Sequence, residues 1–441
     1  MDNQPAILTI FNNTAWLSLD KLSNTLISLL VGVWVARYLG PERLGTISYA
    51  VAFVAIMVPF AQLGLKDIAI RNIVRSPNSK NEILGTNLIL QIIAGLFVAL
   101  LTILLANALN PDDSLITLLV TIIAMGLLFD PFANTVQYWF HSQVKAKYLV
   151  WSNNAILVLT AILRIGLILA GASLVAFAGV YLLHTILLSA ALLLAYIIAG
   201  EHLRELRFSF ERAKELLTDS WPLLFASFAV VIYMKIDQIM LGQMVSKTEV
   251  GYYAVAVRLS ETWYFIPVAL AASVFPSIIR SHQHKDPQIY QKRIQSFYDV
   301  VVGISYFIVI PLVLFAAPLV ILLFGEEYAQ SGSILKVHAW AFIFVSIGVA
   351  RSRWLIAENL VRFSLMATVL GAIVNIAVNY LLIPRYAGLG AAWASVIAYG
   401  VSGYLSSLLS LKTRIAFKQS SLALSFPFRF LLGKIGGRDK V

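Results

Sequence analysis

Residues 33–47, VWVARYLGPERLGTI, contain the end of one apolar block, a short polar turn and the start of a second apolar block. The two blocks cover residues 14–37 and 44–65, and the turn between them includes Pro41 and Glu42. An α-helix needs about 20 mostly apolar residues to cross the hydrocarbon core of a membrane. Both blocks reach that length, so the stretch predicts two membrane-crossing helices joined by a tight turn.

The composition of the whole chain supports the same interpretation. Of its 441 residues, 59% are apolar and 12% are charged, and the mean hydropathy is +0.82. Soluble domains carry about 25% charged residues. These values exclude a soluble enzyme and a disordered chain, and they favour an all-α polytopic membrane protein. The sequence has no cysteine and no Gly-x-x-x-x-Gly-Lys-[Ser/Thr] motif, so it predicts no thiolate metal site and no P-loop.

Further apolar blocks along the chain predict about 12 transmembrane helices in two six-helix bundles. The blocks are 14–37, 44–65, 84–108, 114–137, 149–171, 174–199, 219–244, 250–276, 296–324, 331–350, 363–384 and 388–411. They divide the chain into an N-terminal lobe (1–199), a cytoplasmic connector (200–218), a C-terminal lobe (219–411) and a basic cytoplasmic tail (412–441). Apolar residues recur at helical spacing in the connector, which predicts an amphipathic helix on the membrane surface.

Positive charge predicts the orientation of these helices. The loops after even-numbered helices and the tail carry 24 Lys and Arg residues, whereas the loops after odd-numbered helices carry 4. Arg351, Arg353 and Arg362 are counted in the loop after the tenth helix. Loops rich in Lys and Arg remain in the cytoplasm. We therefore expect a multi-pass protein of the cytoplasmic (inner) cell membrane, with both termini in the cytoplasm. The net charge of +11 follows from this orientation, and no nucleic-acid partner is expected.

A weak internal repeat links the two halves of the chain. Residues 39–45, LGPERLG, precede Ile47-Ser-Tyr-Ala-Val-Ala52, and residues 246–251, SKTEVG, precede Tyr252-Tyr-Ala-Val-Ala256. Each motif lies between the first and second predicted helix of its half. Six helices per half predict parallel repeats, and such repeats place a substrate cavity between two bundles that rock against each other.

Nine charged residues lie inside the predicted spans, and they are the candidates for contact with a substrate or a coupling ion. The basic ones are Lys21, Arg164, Lys235, Arg258 and Lys336, and the acidic ones are Asp20, Asp130, Asp237 and Glu261. A charge at the centre of a membrane helix costs about 2.5–3.5 kcal/mol, so the set favours a polar, water-filled cavity. For each single residue the alternative stays open that it pairs with a neighbour or extends to the membrane surface.

Polar residues also recur on one face of several predicted helices. Asp20, Asn24 and Ser28 are spaced by four, and Asp130, Asn134, Gln137 and His141 follow a similar stripe. Such a stripe must face protein or water, and we interpret these two as lining the cavity. For Asn375 and Asn379, by contrast, we favour hydrogen bonding between helices. A lumen with Lys and Arg at several depths suits an anionic headgroup, because desolvated ion pairs with phosphate are strong.

Several motifs resemble those of bacterial polysaccharide (O-antigen type) flippases of the multidrug/oligosaccharidyl-lipid/polysaccharide exporter superfamily. The resemblance starts at residues 33–47 and continues over nearly the whole chain. Further matching segments are Lys235-Ile-Asp237-Gln-Ile-Met240, Val250-Gly-Tyr-Tyr-Ala254, Ile266-Pro267 to Phe275-Pro276, Phe324-Gly325 to Tyr328, Ile334-Leu335 and Ile383-Pro384 to Ala392. The related lipid II flippases usually have fourteen spans, which argues against that branch.

The resemblance implies a two-lobed, twelve-helix transporter with a central cationic cavity. It implies that the protein moves an undecaprenyl-pyrophosphate-linked oligosaccharide between leaflets by alternating access. Lys21, Arg164, Lys235 and Arg258 are then candidates for binding pyrophosphate or acidic sugars, although only Lys235 lies in a matching segment. Asp20, Asn24, Asp130, Asp237 and Glu261 are candidates for lining the cavity or for coupling transport to a proton or a sodium ion.

Two other functions remain open at this stage. One is a cation-coupled exporter of small molecules or drugs from the same superfamily. The other is a membrane-bound polysaccharide polymerase, but the short predicted outer loops argue against this enzyme. We expect no catalytic residue, no resident metal and no cofactor, since His282 and His284 have no further ligand nearby. The expected partners are the lipid-linked oligosaccharide, membrane lipids and the machinery that polymerises the polysaccharide.

Overall fold

The computed structural model describes residues 4–283, 287–426 and 429, and the regular secondary structure of this part of the chain is helical. His284 and residues 430–441 of the predicted tail lie outside the described residues. The α-helices are α1 (Gln4–Gln62), α2 (Leu65–Arg75), α3 (Lys80–Leu109), α4 (Ser114–Ala124), α5 (Asp130–Ser142), α6 (Ala146–Leu169), α7 (Leu174–Ile198), α8 (Phe210–Met244), α9 (Lys247–Glu261), α10 (Phe265–Gln283), α11 (Pro287–Leu314), α12 (Ala316–Phe324), α13 (Ala329–His338), α14 (Ala341–Ala357), α15 (Val361–Gly403) and α16 (Arg414–Leu424).

Many of these helices are long and apolar enough to cross a membrane. Within the described residues there are 7 such helices, or up to 9 if each of two bent pairs is one span. Two of the 7 run over 53 and 47 residues, which is enough for two crossings each. Large apolar side chains also face outward, for example Leu104 (66% exposed) and Phe307 (80% exposed). The chain is therefore a multi-pass membrane protein, and the predicted fold class is confirmed.

Sharp breaks divide the two longest helices where the sequence changes from one apolar block to the next. In α1 the break is at Gly40, whose φ of 71° and ψ of 172° are not helical. In α15 it is at Ala387, with a φ of 47° and a ψ of −128°. Glycine adopts a positive φ without a steric penalty, and the following Pro41 cannot donate a helical hydrogen bond. The turn predicted from residues 33–47 is therefore present.

The chain forms two compact units, Met1–Ile239 and Met240–Val441. The boundary falls inside α8, whereas the sequence predicts a connector at 200–218. The first half of α8 packs in the first unit, because Leu216 joins Leu65 and Ile68 of α2 in one buried cluster. Arg71 of α2 also forms an ion pair with Asp219 of α8.

The first half of the predicted connector, residues 200–209, does not form an α-helix, whereas residues 210–218 are helical and begin α8. Up to Ser209 it is extended, apart from one 3₁₀ turn at Leu203–Glu205. The backbone N–H of Arg207 donates to the Asn81 carbonyl (3.1 Å), and that of Ser209 donates to Thr86 Oγ1 (3.1 Å). The connector thus lies across the start of α3 and is held there by backbone hydrogen bonds.

Gly64 is a point of very close approach between the start of α2 and α8. Its φ is 64°, and a Cβ atom there would lie 2.5 Å from the backbone nitrogen of Leu224 and 2.8 Å from the carbonyl oxygen of Ser220. Both the backbone conformation and the space therefore require glycine.

We expect Gly64→Ala to destabilise the protein by more than about 2 kcal/mol, because left-handed backbone strain and a clash with the α8 backbone add up. Gly171→Ala is the matched control, since Gly171 has the same φ of 64° but has no heavy atom within 4 Å of the position that a Cβ would take. It should lose only about 1 kcal/mol. Thermal unfolding of the detergent-purified variants measures both values, and equal losses would show that the contact with α8 does not matter.

Candidate functional site

A polar cluster joins α1 to α6 inside the first unit. Asn154 Nδ2 donates to Asp20 Oδ1 (2.9 Å), and Asn24 Nδ2 donates to the same oxygen (3.0 Å). Ser23 Oγ donates to Asn154 Oδ1 (2.6 Å). The spacing predicts Asp20 and Asn24 on one face, and the structure brings them together with Ser23 and Asn154. Two amide donors on one oxygen hold the Asp20 side chain in a defined orientation against α6.

Lys21 lies beside this cluster on α1, and its side chain is exposed. An Asp and a Lys next to each other in a membrane helix point in different directions, because successive residues are about 100° apart. The cluster therefore holds the Asp20 carboxylate against α6, while the Lys21 ammonium remains accessible.

The second predicted stripe, which begins at Asp130, lies on α5. Asp130 is the half-buried first residue of α5, at the bend of 41° between α4 and α5. Asn134 Nδ2 donates to Gln91 Oε1 of α3 (3.1 Å), and Gln91 Nε2 lies 3.3 Å from both Asn87 Oδ1 and the Tyr138 hydroxyl. Asn134 therefore bonds to a neighbouring helix, and the lining of the cavity by Asp130 and Asn134 remains a prediction.

We expect Gln91→Leu to cost about 2–3 kcal/mol, because it leaves Asn87, Asn134 and Tyr138 without their shared partner in a buried place. Gln91 is fully buried, whereas Gln143 at the end of α5 is exposed. Gln143→Leu is therefore the control and should change stability by less than about 0.5 kcal/mol. Thermal unfolding in detergent tests the pair, and a Gln91→Leu protein as stable as the control would contradict the network's role.

Arg164 lies in a separate group between α6 and α7. Its guanidinium is over the Tyr181 ring, 5.0 Å from the centroid. One turn away, Thr160 Oγ1 is 3.4 Å from His184 Nδ1. A cation on an aromatic face is held in a defined orientation, and its N–H groups remain able to donate to an anion. The half-buried Arg164 is thus a fixed positive charge inside the first unit.

The remaining predicted residues are distributed over both units. Lys235 is half-buried on α8, and Asp237 two residues later is only 2% exposed. Both belong to the first unit, while the half-buried Arg258 and Glu261 lie on α9 in the second. The convergence of Lys21, Arg164, Lys235 and Arg258 on one anion remains a prediction.

Arg351 is a residue whose place differs from its sequence assignment. Counted in a cytoplasmic loop, it lies instead inside α14 and is 4% exposed. Its Nη1 donates to Ser406 Oγ (2.6 Å) and Ser407 Oγ (3.1 Å) in the 3₁₀ turn after α15, and the guanidinium is 5.8 Å from the Phe363 ring centroid. Through these hydrogen bonds Arg351 connects α14 to the turn that follows α15.

Two polar groups that the sequence analysis did not select, Asn87 with Gln91 and Asn154, are recognisable in the sequence as polar residues within apolar blocks. Asn87 and Gln91 are spaced by four in an apolar helix, which is the rule that singles out Asn375 and Asn379. Asn154 follows Asn153 in the fifth apolar block and is similarly conspicuous.

Asn375 and Asn379, the pair that the sequence singles out, are both fully buried in α15. Within that helix Asn379 Nδ2 donates to Asn375 Oδ1 (3.2 Å).

Solved structures of transporters share this fold. A multidrug resistance MATE family transporter of the MOP superfamily, in an inward-facing conformation, aligns with a TM-score of 0.74 over 92% of this chain and 98% of its own at 17% identity. The lipid II flippase MurJ, in an inward closed conformation, aligns with a TM-score of 0.71 over 96% of both chains at 15% identity. At these identities the likeness concerns the fold.

Three sequence relatives carry names that concern glycan transport or polysaccharide biosynthesis. A probable low-salt glycan biosynthesis flippase of Haloferax volcanii is 26% identical over 46% of this chain, and the alignment spans 44% of that relative's length. A capsular polysaccharide biosynthesis protein, CapF, of Staphylococcus aureus is 21% identical over 88% of this chain and 96% of its own. A putative O-antigen transporter of Escherichia coli is 22% identical over 62% of this chain and 65% of its own.

Two families match the sequence directly. Residues 222–381 match the MatE family. Residues 10–282 match the family described as polysaccharide biosynthesis protein. Since that second match extends over more than half of the chain, from α1 into α10, the protein belongs to the polysaccharide biosynthesis protein family.

Proposed function

We propose that the protein is a flippase that carries an undecaprenyl-pyrophosphate-linked oligosaccharide, the repeat unit of a polysaccharide, across the cytoplasmic membrane by alternating access. The family match over residues 10–282 carries this proposal. The named relatives also concern glycan flipping and polysaccharide biosynthesis, which indicates a transporter and not an enzyme. The two-unit helical fold fits alternating access, because two compact bundles can change their mutual angle while each keeps its internal packing.

Lys21, Arg164, Lys235 and Arg258 would bind the pyrophosphate or acidic sugars. Each is either exposed or half-buried, so a guanidinium or ammonium can meet a phosphate without unfolding its helix. The Asn154 cluster and Arg164 are ten residues apart on α6, which is about 15 Å along the helix axis. Lys21, beside the Asn154 cluster, and Arg164 would thus place positive charge at two depths of the first unit. The headgroup would bind to one and then to the other as it crosses the membrane.

Ion coupling would use a carboxylate whose hydrogen-bond donors are neutral. Asp20 fits this role, because the groups that donate to its Oδ1 are the amides of Asn24 and Asn154. A proton or a sodium ion could bind there and change the charge next to Lys21. Asp130, Asp237 and Glu261 are the other coupling candidates.

The charge distribution supports the proposed placement in the cell. The sequence count places 24 Lys and Arg residues on one side, and removing the buried Arg351 from that count leaves the excess intact, so both termini would lie in the cytoplasm. The substrate would then arrive on the cytoplasmic leaflet and leave on the outer leaflet, where a polysaccharide polymerase would use it.

A second candidate function is a cation-coupled exporter of small molecules. The MatE match over residues 222–381 favours it specifically. The two functions differ in the compound that accumulates when the protein is missing.

Depletion of the protein in the cell that encodes it separates the two. We expect lipid-linked repeat units to accumulate on the cytoplasmic leaflet while surface polysaccharide is lost, and the variant with both Arg164→Gln and Arg258→Gln should fail to restore export. Normal polysaccharide with a raised intracellular level of cationic dyes would instead identify an exporter.

A further inference from the structure

A groove of about 540 Å³ lies between α10 and α11 in the second unit. Its walls are mostly apolar, with Leu270 and Val274 on α10 and Ile289 and Val300 on α11. Val300 is 50% exposed and Ile289 is 49% exposed, so the walls are open to the surroundings of the bundle. In a membrane protein those surroundings are lipid, and an apolar groove of this kind accommodates an acyl chain.

Basic side chains also line this groove, on α11 between the apolar Ile289 and Val300. Lys292 and Arg293, both exposed, and the exposed Ser296 belong to its lining. On α11 the spacing of Ile289, Arg293, Ser296 and Val300 is 4, 3 and 4, so these residues share one helix face. One face of α11 therefore combines positive charge and a hydroxyl donor with an apolar wall.

The charged part of the groove lies near the start of α11, outside the apolar segment of that helix. Lys292 and Arg293 lie in the first two turns of α11, next to a loop that the charge distribution places in the cytoplasm. Asp299, the carboxylate further along α11, accepts hydrogen bonds from Arg429 and Gln295.

We propose that this groove binds an anionic phospholipid of the cytoplasmic leaflet. The phosphate would lie between Lys292 and Arg293 and accept a hydrogen bond from Ser296, and one acyl chain would follow Leu270, Val274 and Val300. Charge complementarity favours an anionic over a zwitterionic lipid, because a choline headgroup would bring a further positive charge close to Lys292 and Arg293. A lipid in this position connects α10 to α11.

Native mass spectrometry of the full-length protein measures this binding directly. The protein is purified in detergent and titrated with phosphatidylglycerol or phosphatidylcholine of the same acyl chains. We expect tight binding of phosphatidylglycerol and a loss of about 30-fold in its affinity when both Lys292→Gln and Arg293→Gln are present. Ser296→Trp, which fills the groove but retains both charges, should lower the affinity by at least about tenfold.

Arg204→Gln combined with Lys214→Gln is the matched control. It removes two exposed charges that the sequence places on the same side of the membrane, and its phosphatidylglycerol affinity should not change. Unchanged thermal unfolding of each variant excludes misfolding as the cause of a loss.

Three results would overturn the proposal. Equal loss in the control variant would mean a diffuse surface charge effect, and full binding in Ser296→Trp would mean that the groove is not used. Displacement of phosphatidylglycerol by an equimolar lipid-pyrophosphate oligosaccharide would identify the site as part of the substrate path.

Discussion

We expect Arg164→Gln to lower transport of the lipid-linked oligosaccharide by about 100-fold, because truncating one partner of the proposed desolvated charge pair costs about 2–5 kcal/mol. Arg164 is held over Tyr181 between α6 and α7, so its charge is presented in a fixed orientation. Arg164→Lys retains the charge but loses the planar stacking and the paired N–H groups. It should therefore keep part of the activity, with a loss of about tenfold. Initial rates of sugar exposure in proteoliposomes measure all three proteins.

The control for this prediction is Arg43→Gln. Arg43 is exposed in the turn after Gly40, so its replacement removes one charge from the same unit without touching a membrane-buried group. It should transport at the rate of the unaltered protein. If Arg164→Gln and Arg258→Gln both transported at that rate too, the proposal of a cationic binding site would be wrong.

If transport is coupled to an ion gradient through Asp20, as proposed, we expect Asp20→Asn to lower the stimulation by that gradient at least about tenfold. The amide has nearly the shape of the carboxylate and can still accept from Asn24 and Asn154, so the α1–α6 contact should persist. The expected change in stability is therefore below about 1 kcal/mol. Transport with and without a proton or sodium gradient, together with thermal unfolding, separates the coupling effect from a structural one.

Asn154→Ala provides the comparison for Asp20→Asn. It removes one amide donor from the Asp20 carboxylate and also takes away the amide oxygen that accepts from Ser23. It should thus lower stability by about 1–2 kcal/mol but retain gradient dependence, since the carboxylate remains. Gradient stimulation that survives in Asp20→Asn would exclude Asp20 as the coupling group and direct attention to Asp130, Asp237 and Glu261.

The fold is largely predictable because a membrane imposes a simple length rule on apolar segments. The turn in residues 33–47 contains the break at Gly40, where glycine and the following Pro41 both interrupt a helix. The first half of the predicted connector, residues 200–209, is not predictable from its own residues. Its apolar spacing suits a helix, but Arg207 and Ser209 find backbone and side-chain acceptors on α3, more than 120 residues earlier.

The candidate site is predictable only within single helices. Spacing by four places Asp20 and Asn24 on one face, and in the structure Asn24 Nδ2 donates to Asp20 Oδ1. Asn154 is 134 residues away from Asp20, and periodicity carries no information about such a pair. Arg351 shows the limit of counting charges in loops. It directly follows the predicted helix 331–350 and is therefore assigned to a loop. In the structure it lies inside α14, where the hydroxyls of Ser406 and Ser407 accept its hydrogen bonds.

The most direct test uses proteoliposomes with the purified full chain and a lipid-pyrophosphate-linked oligosaccharide on one leaflet. Accessibility of the sugar to a membrane-impermeant lectin or glycosidase reports its transfer to the other leaflet. We expect protein-dependent exposure of the sugar, which is lost in Arg164→Gln and retained in Arg43→Gln. No exposure above that of protein-free liposomes, with a repeat unit from the same cell, would contradict the flippase function.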